Sequence, residues 1–371
     1  MIASNHNADI TEEARFAHQD LLAFGKQALE RRGMRAEQAE QVALRLLDAD
    51  LLGHRSHGFW LLATYLERLE AGQIAVEGEV RVLNDSPAAF AWHANRLPGA
   101  WVMQRAIDTV RERARAQAMV CATIAECSHI GCLQSYLLPL VADNLLVMLS
   151  ATNAGVASVA PFGGIDPVLT TNPLAFGIPT RGAPILVDQC TSLGSNTFFT
   201  AFAQRGESLP AQWLLDADGA PTDDPTVLSA NPPGTVLPLG GIDFGYKGFG
   251  LGLAVEALTL ALPGSGRRTR PDKFGQGVFL QVINPAMLGG LDAFLDETTW
   301  LADACHASRV RPGAPPVRLP GERALRLRQQ QLVEGITLSA DAVQRTAAWA
   351  DKLGLAMPVE KKAEGHAAHA R

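Results

Sequence analysis

The segment Gly53-His54-Arg55-Ser56-His57-Gly58 is the most informative stretch of this chain, because it places two histidines in a turn bounded by glycines. Apolar residues recur at helical spacing from Ala39 to Leu46, and Gly53 is suited to end that helix. Histidine, with an ordinary pKa of about 6.5, can release or take up a proton near neutral pH. A metal site at His54 and His57 lacks a third ligand at a recognised spacing. The turn therefore predicts proton transfer and no metal.

Length and composition indicate a globular enzyme. At 371 residues and 39.6 kDa, the chain exceeds the usual size of one hydrophobic core, so two lobes are expected. Hydrophobic residues make up 47% and charged residues 19%. The net charge of -6 argues against a nucleic-acid or anionic-membrane surface, because phosphate binding needs concentrated lysine and arginine. A small-molecule substrate is the expectation.

Cysteine usage and hydropathy predict a cytoplasmic protein. The five cysteines are odd in number and lack paired Cys-x2-Cys spacing, which favours reduced thiols. The polar stretch Met1–Glu13 has no apolar signal core, and no run reaches the ~20 apolar residues that span a bilayer. We therefore expect neither export nor membrane insertion.

The chain begins helix-rich and becomes strand-rich from Met119. Short apolar runs bounded by glycine, proline and asparagine predict buried strands. They are Met119–Ala125, Leu145–Ala151, Leu174–Pro179 and Ile185–Asp188. The turn-rich stretch Pro161–Pro173 is suited to a close ligand approach. Gly248–Leu262 predicts an apolar helix buried in protein, and Glu322 to about Leu355 a final helical region.

Three local features near these elements have alternative interpretations. Gly248-Phe249-Gly250-Leu251-Gly252 lacks the G-x-G-x-x-G spacing of a Rossmann dinucleotide loop, so close helix packing is expected there. Lys247, at a helix start, either contacts a phosphate or carboxylate or faces solvent. Asp188 ends a strand, and the residues after it form either a helix cap or part of a site.

Eight segments in order resemble the malate/L-lactate dehydrogenase family, which includes ureidoglycolate, sulfolactate and diketogulonate dehydrogenases and reductases of cyclic imines such as piperideine-2-carboxylate. The segments are Ala49–Gly58, Ser128-His129-Ile130-Gly131, Pro161-Phe162-Gly163-Gly164, Thr171-Asn172-Pro173, Asp188–Ser192, Leu237-Pro238-Leu239-Gly240, Tyr246-Lys247-Gly248 and Arg318-Leu319-Pro320-Gly321-Glu322. The resemblance covers nearly the whole chain.

The resemblance implies an α/β (α+β) fold with a non-Rossmann NAD(P)-binding lobe. That lobe is expected to hold a mostly antiparallel sheet and to span residues 121–319. A helix-rich lobe is expected over residues 1–120, joined by C-terminal helices in 320–371. A homodimer is implied as well.

The resemblance also implies the site residues. His57 and His129 match the two histidines considered as proton donor or acceptor, with Ser56, Leu61 and Thr171 at the substrate. NAD or NADP contacts carried over by position are Asn153, Ala154, Ile185, Leu186, Val187, Asp188, Gln189, Cys190, Thr191, Tyr246, Lys247, Gly321, Glu322 and Arg323. Arg267, Arg268 and Arg270 are candidates for a 2′-phosphate, with a solvated loop as the alternative.

The chain departs from the family at three places. Many relatives carry an arginine where Leu61 stands, which would hold a substrate carboxylate by a two-pronged hydrogen bond. Ser195-Asn196-Thr197-Phe198 replaces small residues followed by glycine and lysine, and Thr170 replaces a glycine.

Together these features predict an NAD(P)H-dependent oxidoreductase that reduces a 2-oxo acid or cyclic 2-imino acid, or oxidises the 2-hydroxy acid, through His57 and His129. Two alternatives stay open. One is a reductase of a bulkier substrate that lacks a carboxylate. The other is a catalytically silent relative that serves as a binding subunit.

Overall fold

The computed structural model describes residues 14–269 and 275–361. The chain divides into two compact units, the first formed by Met1–Val76 with Cys305–Arg371 and the second by Glu77–Ala304. The described helices are α1 (His18–Arg31), α2 (Ala36–Leu51), α3 (Leu61–Glu70), α4 (Gly99–Arg113), α5 (Gln134–Ala142), α6 (Asn196–Arg205), α7 (Gly241–Glu256), α8 (Leu291–His306), α9 (Glu322–Glu334) and α10 (Ala340–Leu353).

The described strands are mostly short. They are β1 (Ala14–Phe16), β2 (Arg81–Ser86), β3 (Ala89–His93), β4 (Met119–Cys127), β5 (Leu146–Asn153), β6 (Leu174–Ile178), β7 (Ile185–Gln189), β8 (Leu214–Leu215), β9 (Pro221–Thr222), β10 (Thr235–Val236), β11 (Gln276–Ile283) and β12 (Ile336–Leu338). The predicted strands are confirmed as β4 to β7, within two residues at each end.

The first unit packs helices α1, α2, α3, α9 and α10 together with a two-stranded ribbon of β1 and β12. The helix predicted before Gly53 is α2, and Gly53 follows it with a φ of +83°. The final helical region predicted from Glu322 to about Leu355 consists of two helices, α9 and α10. They are separated by Gly335 (φ +106°) and by Ile336–Leu338, which pairs with Ala14–Phe16. A three-residue strand depends on a partner more than 300 positions away, which no local pattern reveals.

The second unit is built on a seven-stranded sheet of order β2-β3-β4-β11-β5-β6-β7. All neighbours are antiparallel except β3 and β4, so the predicted mostly antiparallel sheet is confirmed. A second sheet, β10-β8-β9, belongs to the same unit. The central strand β11 was missed from the sequence, although Val278–Ile283 has the apolar and β-branched composition of a buried strand.

The strand directions bring several chain segments to one edge of this sheet. Gln276 pairs with Cys127 on one side and with Asn153 on the other, and Leu174 pairs with Gln189. The carboxyl ends of β4, β5 and β7 and the amino ends of β11 and β6 therefore meet there. We call this the carboxyl edge.

The unit boundaries at Val76 and Cys305 differ from the expected lobe boundaries at 120 and 320. The reason is the pairing of β2 with β3 and of β3 with β4, which joins residues 81–93 to the large sheet. Among the described residues, no helix has the length and apolar character needed to cross a membrane.

The apolar helix near Gly248 starts earlier than expected, at Gly241, and continues into a π-helical turn at Ala257–Ala261. Gly245, Gly248, Gly252 and Val255 are buried. The expectation that the whole helix is buried is not met within one chain, because its other face exposes large apolar side chains.

Candidate active site

The histidine turn of the first unit is a 3-10 turn spanning Arg55–His57. The His57 amide donates to the carbonyl of His54 (2.8 Å), and the Ser56 hydroxyl lies 3.0 Å from Nδ1 of His57. Burial lowers the pKa of His57 to about 4, and the nearby His54 acts in the same direction. At neutral pH the imidazole is therefore uncharged and suited to hydrogen bonding or to accepting a proton.

Asp50 stabilises this turn through a buried hydrogen bond, a role that the sequence did not reveal. Its carboxyl group is buried and accepts the amide N–H of Phe59 at 2.6 Å. A Cβ at Gly58 would lie 2.0 Å from the Asp50 carboxyl oxygen, so only glycine fits there. Burial raises the pKa of Asp50 to about 7, opposed by the Phe59 hydrogen bond and by Arg55. The only sequence signal was the position of Asp50 within the Ala49–Gly58 segment.

Leu61 is the first residue of α3, one turn beyond the histidine turn, and its side chain is 8% exposed. A cation in its place would be largely desolvated unless a partner neutralised it. The structure thus puts an apolar side chain where the family resemblance implied a carboxylate-binding arginine.

His129 lies at the carboxyl edge in the second unit, two residues after β4 ends at Cys127. Its neighbours on both sides are held by hydrogen bonds. Ser128 Oγ accepts the amide of Gly99 (2.8 Å), and the amide of Ile130 donates to the side-chain oxygen of Gln276 (2.8 Å). The main chain around His129 is therefore fixed. Gln276 was missed from the sequence because its strand was missed.

Asp188 also lies at the carboxyl edge, near the end of β7. Its carboxylate accepts the amide of Gln134, the first residue of α5, at 2.9 Å, and lies 3.8 Å from Cys132 Sγ. A carboxylate at a helix N-terminus is stabilised by the helix dipole. Burial, followed by the charge of Asp188, raises the pKa of Cys190 to about 11, so this thiol stays protonated at neutral pH.

The predicted cofactor residues Asn153 and Ala154 are the last residue of β5 and the residue that follows it. Arg267 fixes the segment after β5, donating to the carbonyls of Ala154 (3.3 Å) and Val156 (2.7 Å). The same guanidinium forms a two-pronged pair with Glu256, at 2.7 and 3.0 Å. Arg267 therefore has carbonyl and carboxylate partners within the protein, which the interpretation of Arg267 as a ligand of the 2′-phosphate did not include. Arg268 is exposed, and Arg270 lies outside the described residues.

Thr171 and Thr191 meet beside the same edge. The Thr191 amide donates to the Thr171 carbonyl at 3.0 Å. A Cβ at Gly248 would lie 2.6 Å from the Thr191 carbonyl oxygen, so the predicted close-packing role of this glycine is confirmed. Its neighbours Tyr246 and Lys247 are exposed, and Lys247 Nζ lies 5.9 Å from the Tyr246 ring centre.

The remaining candidates fall on other elements. Gly321, Glu322 and Arg323 form the start of α9 in the first unit, where the Glu322 carboxylate accepts a 2.6 Å hydrogen bond from His306 Nε2. Phe198, part of a departure from the family, packs in the second unit against Phe202 and Trp213, with ring centres 4.9 and 5.9 Å away. That departure therefore builds a hydrophobic cluster around α6.

The carboxyl edge has the chemistry to hold a nicotinamide dinucleotide. It offers the Asp188 carboxylate for ribose hydroxyls, and Gly248 brings the exposed cation Lys247 beside the β7 end for a phosphate. The residues present fit such a cofactor without a Rossmann glycine loop.

Comparison with known proteins agrees with this geometry. The family model described as malate/L-lactate dehydrogenase matches residues 16–346. L-lactate dehydrogenase of Cupriavidus necator is 31% identical over 296 residues, covering 77% of this chain and 83% of that protein.

Two solved structures show the same fold. Malate dehydrogenase from Entamoeba histolytica has a TM-score of 0.88 at 24% identity, covering 94% of this chain and 100% of that one. Delta1-piperideine-2-carboxylate reductase from Pseudomonas syringae has a TM-score of 0.80 at 26% identity, covering 91% and 99%.

Proposed function

Because the chain belongs to the malate/L-lactate dehydrogenase family, we propose that it reduces a 2-oxo acid or a cyclic 2-imino acid with NADH or NADPH, or catalyses the reverse oxidation. The bound nicotinamide supplies or accepts the hydride. Hydride addition to the substrate carbon leaves a negative charge on the oxygen of a 2-oxo acid or on the nitrogen of an imine. That atom takes one proton from the protein. The products are a 2-hydroxy acid or a cyclic 2-amino acid.

The observation that carries this proposal is the carboxyl edge. Four predicted site positions, at His129, Asn153, Thr171 and Asp188, lie at or beside strand ends that meet there. Catalytic and ligand-binding groups commonly sit on loops that a rigid sheet positions. The edge therefore supports one site that holds both the cofactor and an acid–base histidine.

We assign proton donation to His129 and substrate anchoring to His57. Burial and the nearby His54 lower the pKa of His57 to about 4, so its ring is neutral at pH 7 and has no imidazolium proton to donate. A neutral ring can still hydrogen-bond a substrate carbonyl or carboxylate. His129 then supplies the proton, a contribution of about 10²–10⁴ in rate.

The substrate side chain is proposed to be apolar. Leu61 offers a hydrocarbon wall where a carboxylate-binding arginine would favour small dicarboxylates. We expect kcat/KM for phenylpyruvate to exceed that for oxaloacetate in coupled NADH-consumption assays. The reverse order would contradict the role of Leu61.

Cofactor binding and turnover test the proposal directly. Fluorescence titration with NADH and NADPH should give saturable binding at micromolar concentrations. Consumption is then measured with pyruvate, phenylpyruvate, oxaloacetate and piperideine-2-carboxylate, which separates C=O from C=N reduction. Binding without turnover on any of them would favour the silent-relative alternative, and absence of binding would overturn the oxidoreductase assignment.

Histidine variants test the mechanism. His129→Asn should lower kcat by about 10²–10⁴, the contribution of a general acid, and His57→Asn should lower kcat/KM through loss of the substrate hydrogen bond. NADH affinity should stay within about twofold in both. His18→Asn, on α1, is the matched control and should retain full turnover. Unchanged kcat in His129→Asn and unchanged kcat/KM in His57→Asn would remove these histidines from the reaction.

A homodimer is also proposed, with α7 at its interface. Ile242, Tyr246 and Leu253 recur on one helical face and are 49%, 52% and 48% exposed in the single chain. Contiguous apolar side chains of this size usually mark an interaction surface. A second copy of the chain would cover them.

A further inference from the structure

Gln276 stands at the centre of the carboxyl edge, as the first residue of β11. We propose that its side chain is the positioning residue of His129: it sets the orientation of the acid–base imidazole through the main chain of Ile130. This inference rests on the proposed function, because it presumes that His129 transfers the proton.

The contact is direct on the main chain that follows His129. The Gln276 side-chain oxygen accepts the Ile130 amide at 2.8 Å, across 146 residues of sequence. On either side of β11, Gln276 is paired with Cys127 of β4 and Asn153 of β5. Gln276 thus links the segment of His129 to β11, the strand that also pairs with β5 at Asn153, a predicted cofactor residue.

The carbonyl of the same residue is held as well. Tyr136, fully buried on α5, donates its hydroxyl hydrogen to the Ile130 carbonyl at 2.5 Å. Ile130 is itself 2% exposed. With both polar groups of this peptide engaged, the backbone leaving His129 has little freedom to rotate.

The residue before His129 is fixed by different groups. Ser128 accepts the Gly99 amide through Oγ and donates its own amide to the Leu97 carbonyl at 3.2 Å. A Cβ at Gly99 would lie 2.8 Å from the His129 carbonyl oxygen, so the start of α4 closes against this segment. These contacts connect the segment of His129 to the start of α4, whereas the hydrogen bond to Gln276 connects it to the central strand β11.

The chemistry of glutamine suits this place. Its amide oxygen accepts a hydrogen bond without adding charge to the segment of His129, whose imidazole must gain and lose a proton. An apolar side chain would leave the buried Ile130 amide without a partner. A carboxylate would keep the hydrogen bond but favour the imidazolium and raise the pKa of the histidine.

Two substitutions in the full-length chain separate these effects. Gln276→Met should lower kcat about ten- to hundredfold, since small displacements of a catalytic group are costly, with NADH affinity little changed. Gln276→Glu should restore most of kcat and move the alkaline limb of the kcat–pH profile upward by about 0.5–1 pH unit. Gln281→Met and Gln281→Glu, at the far end of β11, are matched controls expected to stay within twofold of wild type with an unshifted profile.

The outcomes distinguish the inference from the function on which it rests. A Gln276→Met kcat within twofold of wild type, or a Gln276→Glu profile that does not shift, overturns the positioning role while His129→Asn still shows its expected loss of kcat. Full turnover by His129→Asn instead overturns the role of the histidine. If Gln276→Met does not fold, the pH profile of Gln276→Glu decides alone.

Discussion

The carboxyl group of Asp50 illustrates how a single buried residue shapes the histidine turn. It holds the Phe59 amide, and only glycine fits at position 58 beside it. Burial raises its pKa from 3.8 to about 7. The folded chain therefore binds this proton more tightly than the unfolded chain does.

This shift predicts a pH dependence of stability. The stabilisation from the proton on Asp50 is complete below the unfolded pKa of 3.8 and is lost as pH rises to about 7. At about 1.4 kcal/mol per pKa unit, the loss amounts to a few kcal/mol. Asp50→Asn keeps an oxygen for the Phe59 amide and cannot ionise. Its melting temperature relative to wild type should therefore be higher at pH 8 than at pH 5.

The control for this measurement is Asp20→Asn, an exposed carboxylate on α1. Its melting temperature should follow wild type at both pH values. A constant difference between Asp50→Asn and wild type across this range would show that Asp50 does not titrate there.

At the scale of elements, Arg267 and Glu256 connect the end of α7 to the segment after β5. Asn172 extends the link, since its amide donates to Glu256 at 2.9 Å and its oxygen accepts the Thr152 hydroxyl at 3.0 Å. The Glu256 and Arg267 side chains are 15% and 23% exposed. Removing one partner would leave the other charge poorly compensated.

Arg267→Met should therefore destabilise the fold by about 2–3 kcal/mol in urea unfolding and weaken NADH and NADPH binding alike. The double variant Arg267→Met/Glu256→Gln should recover part of the stability. Its control is Arg268→Met, an exposed neighbour expected to leave stability unchanged. If Arg267→Met weakened NADPH binding but left NADH binding unchanged, Arg267 would instead be a ligand of the 2′-phosphate.

The contact between β11 and the π-helical turn depends on one glycine. A Cβ at Gly277 would lie 2.0 Å from the Thr259 carbonyl oxygen, a backbone atom that cannot move alone. Gly277→Ala should lower the free energy of unfolding by about 2–4 kcal/mol. At Gly289 an added Cβ meets nothing within 4 Å, so Gly289→Ala should be nearly neutral. Equal stability of the two variants would refute the close-packing role of Gly277.

At the scale of the whole molecule, the exposed face of α7 predicts a change of assembly on charge insertion. Leu253→Glu should convert a dimer to a monomer in light scattering coupled to size exclusion, because burying an unpaired carboxylate is unfavourable. Gln27→Glu, exposed on α1, should remain dimeric. A dimer that persists in Leu253→Glu would exclude this face, and a monomeric wild-type chain would exclude the homodimer.

The ordered motifs were enough to recognise the family, because each is a local feature that a few residues specify, and the resemblance implied the mostly antiparallel fold. The site segments were predicted in the same way. Helix ends at glycine and the strands β4 to β7 were predictable for the same reason. Only the folded chain revealed the central place of β11, the pairing of β12 with β1, the hydrogen bond from Phe59 to Asp50 and the ion pair of Arg267 with Glu256. These depend on hydrogen-bond partners and burial supplied by residues distant in the chain, and the same dependence joins Gln276 to the segment of His129.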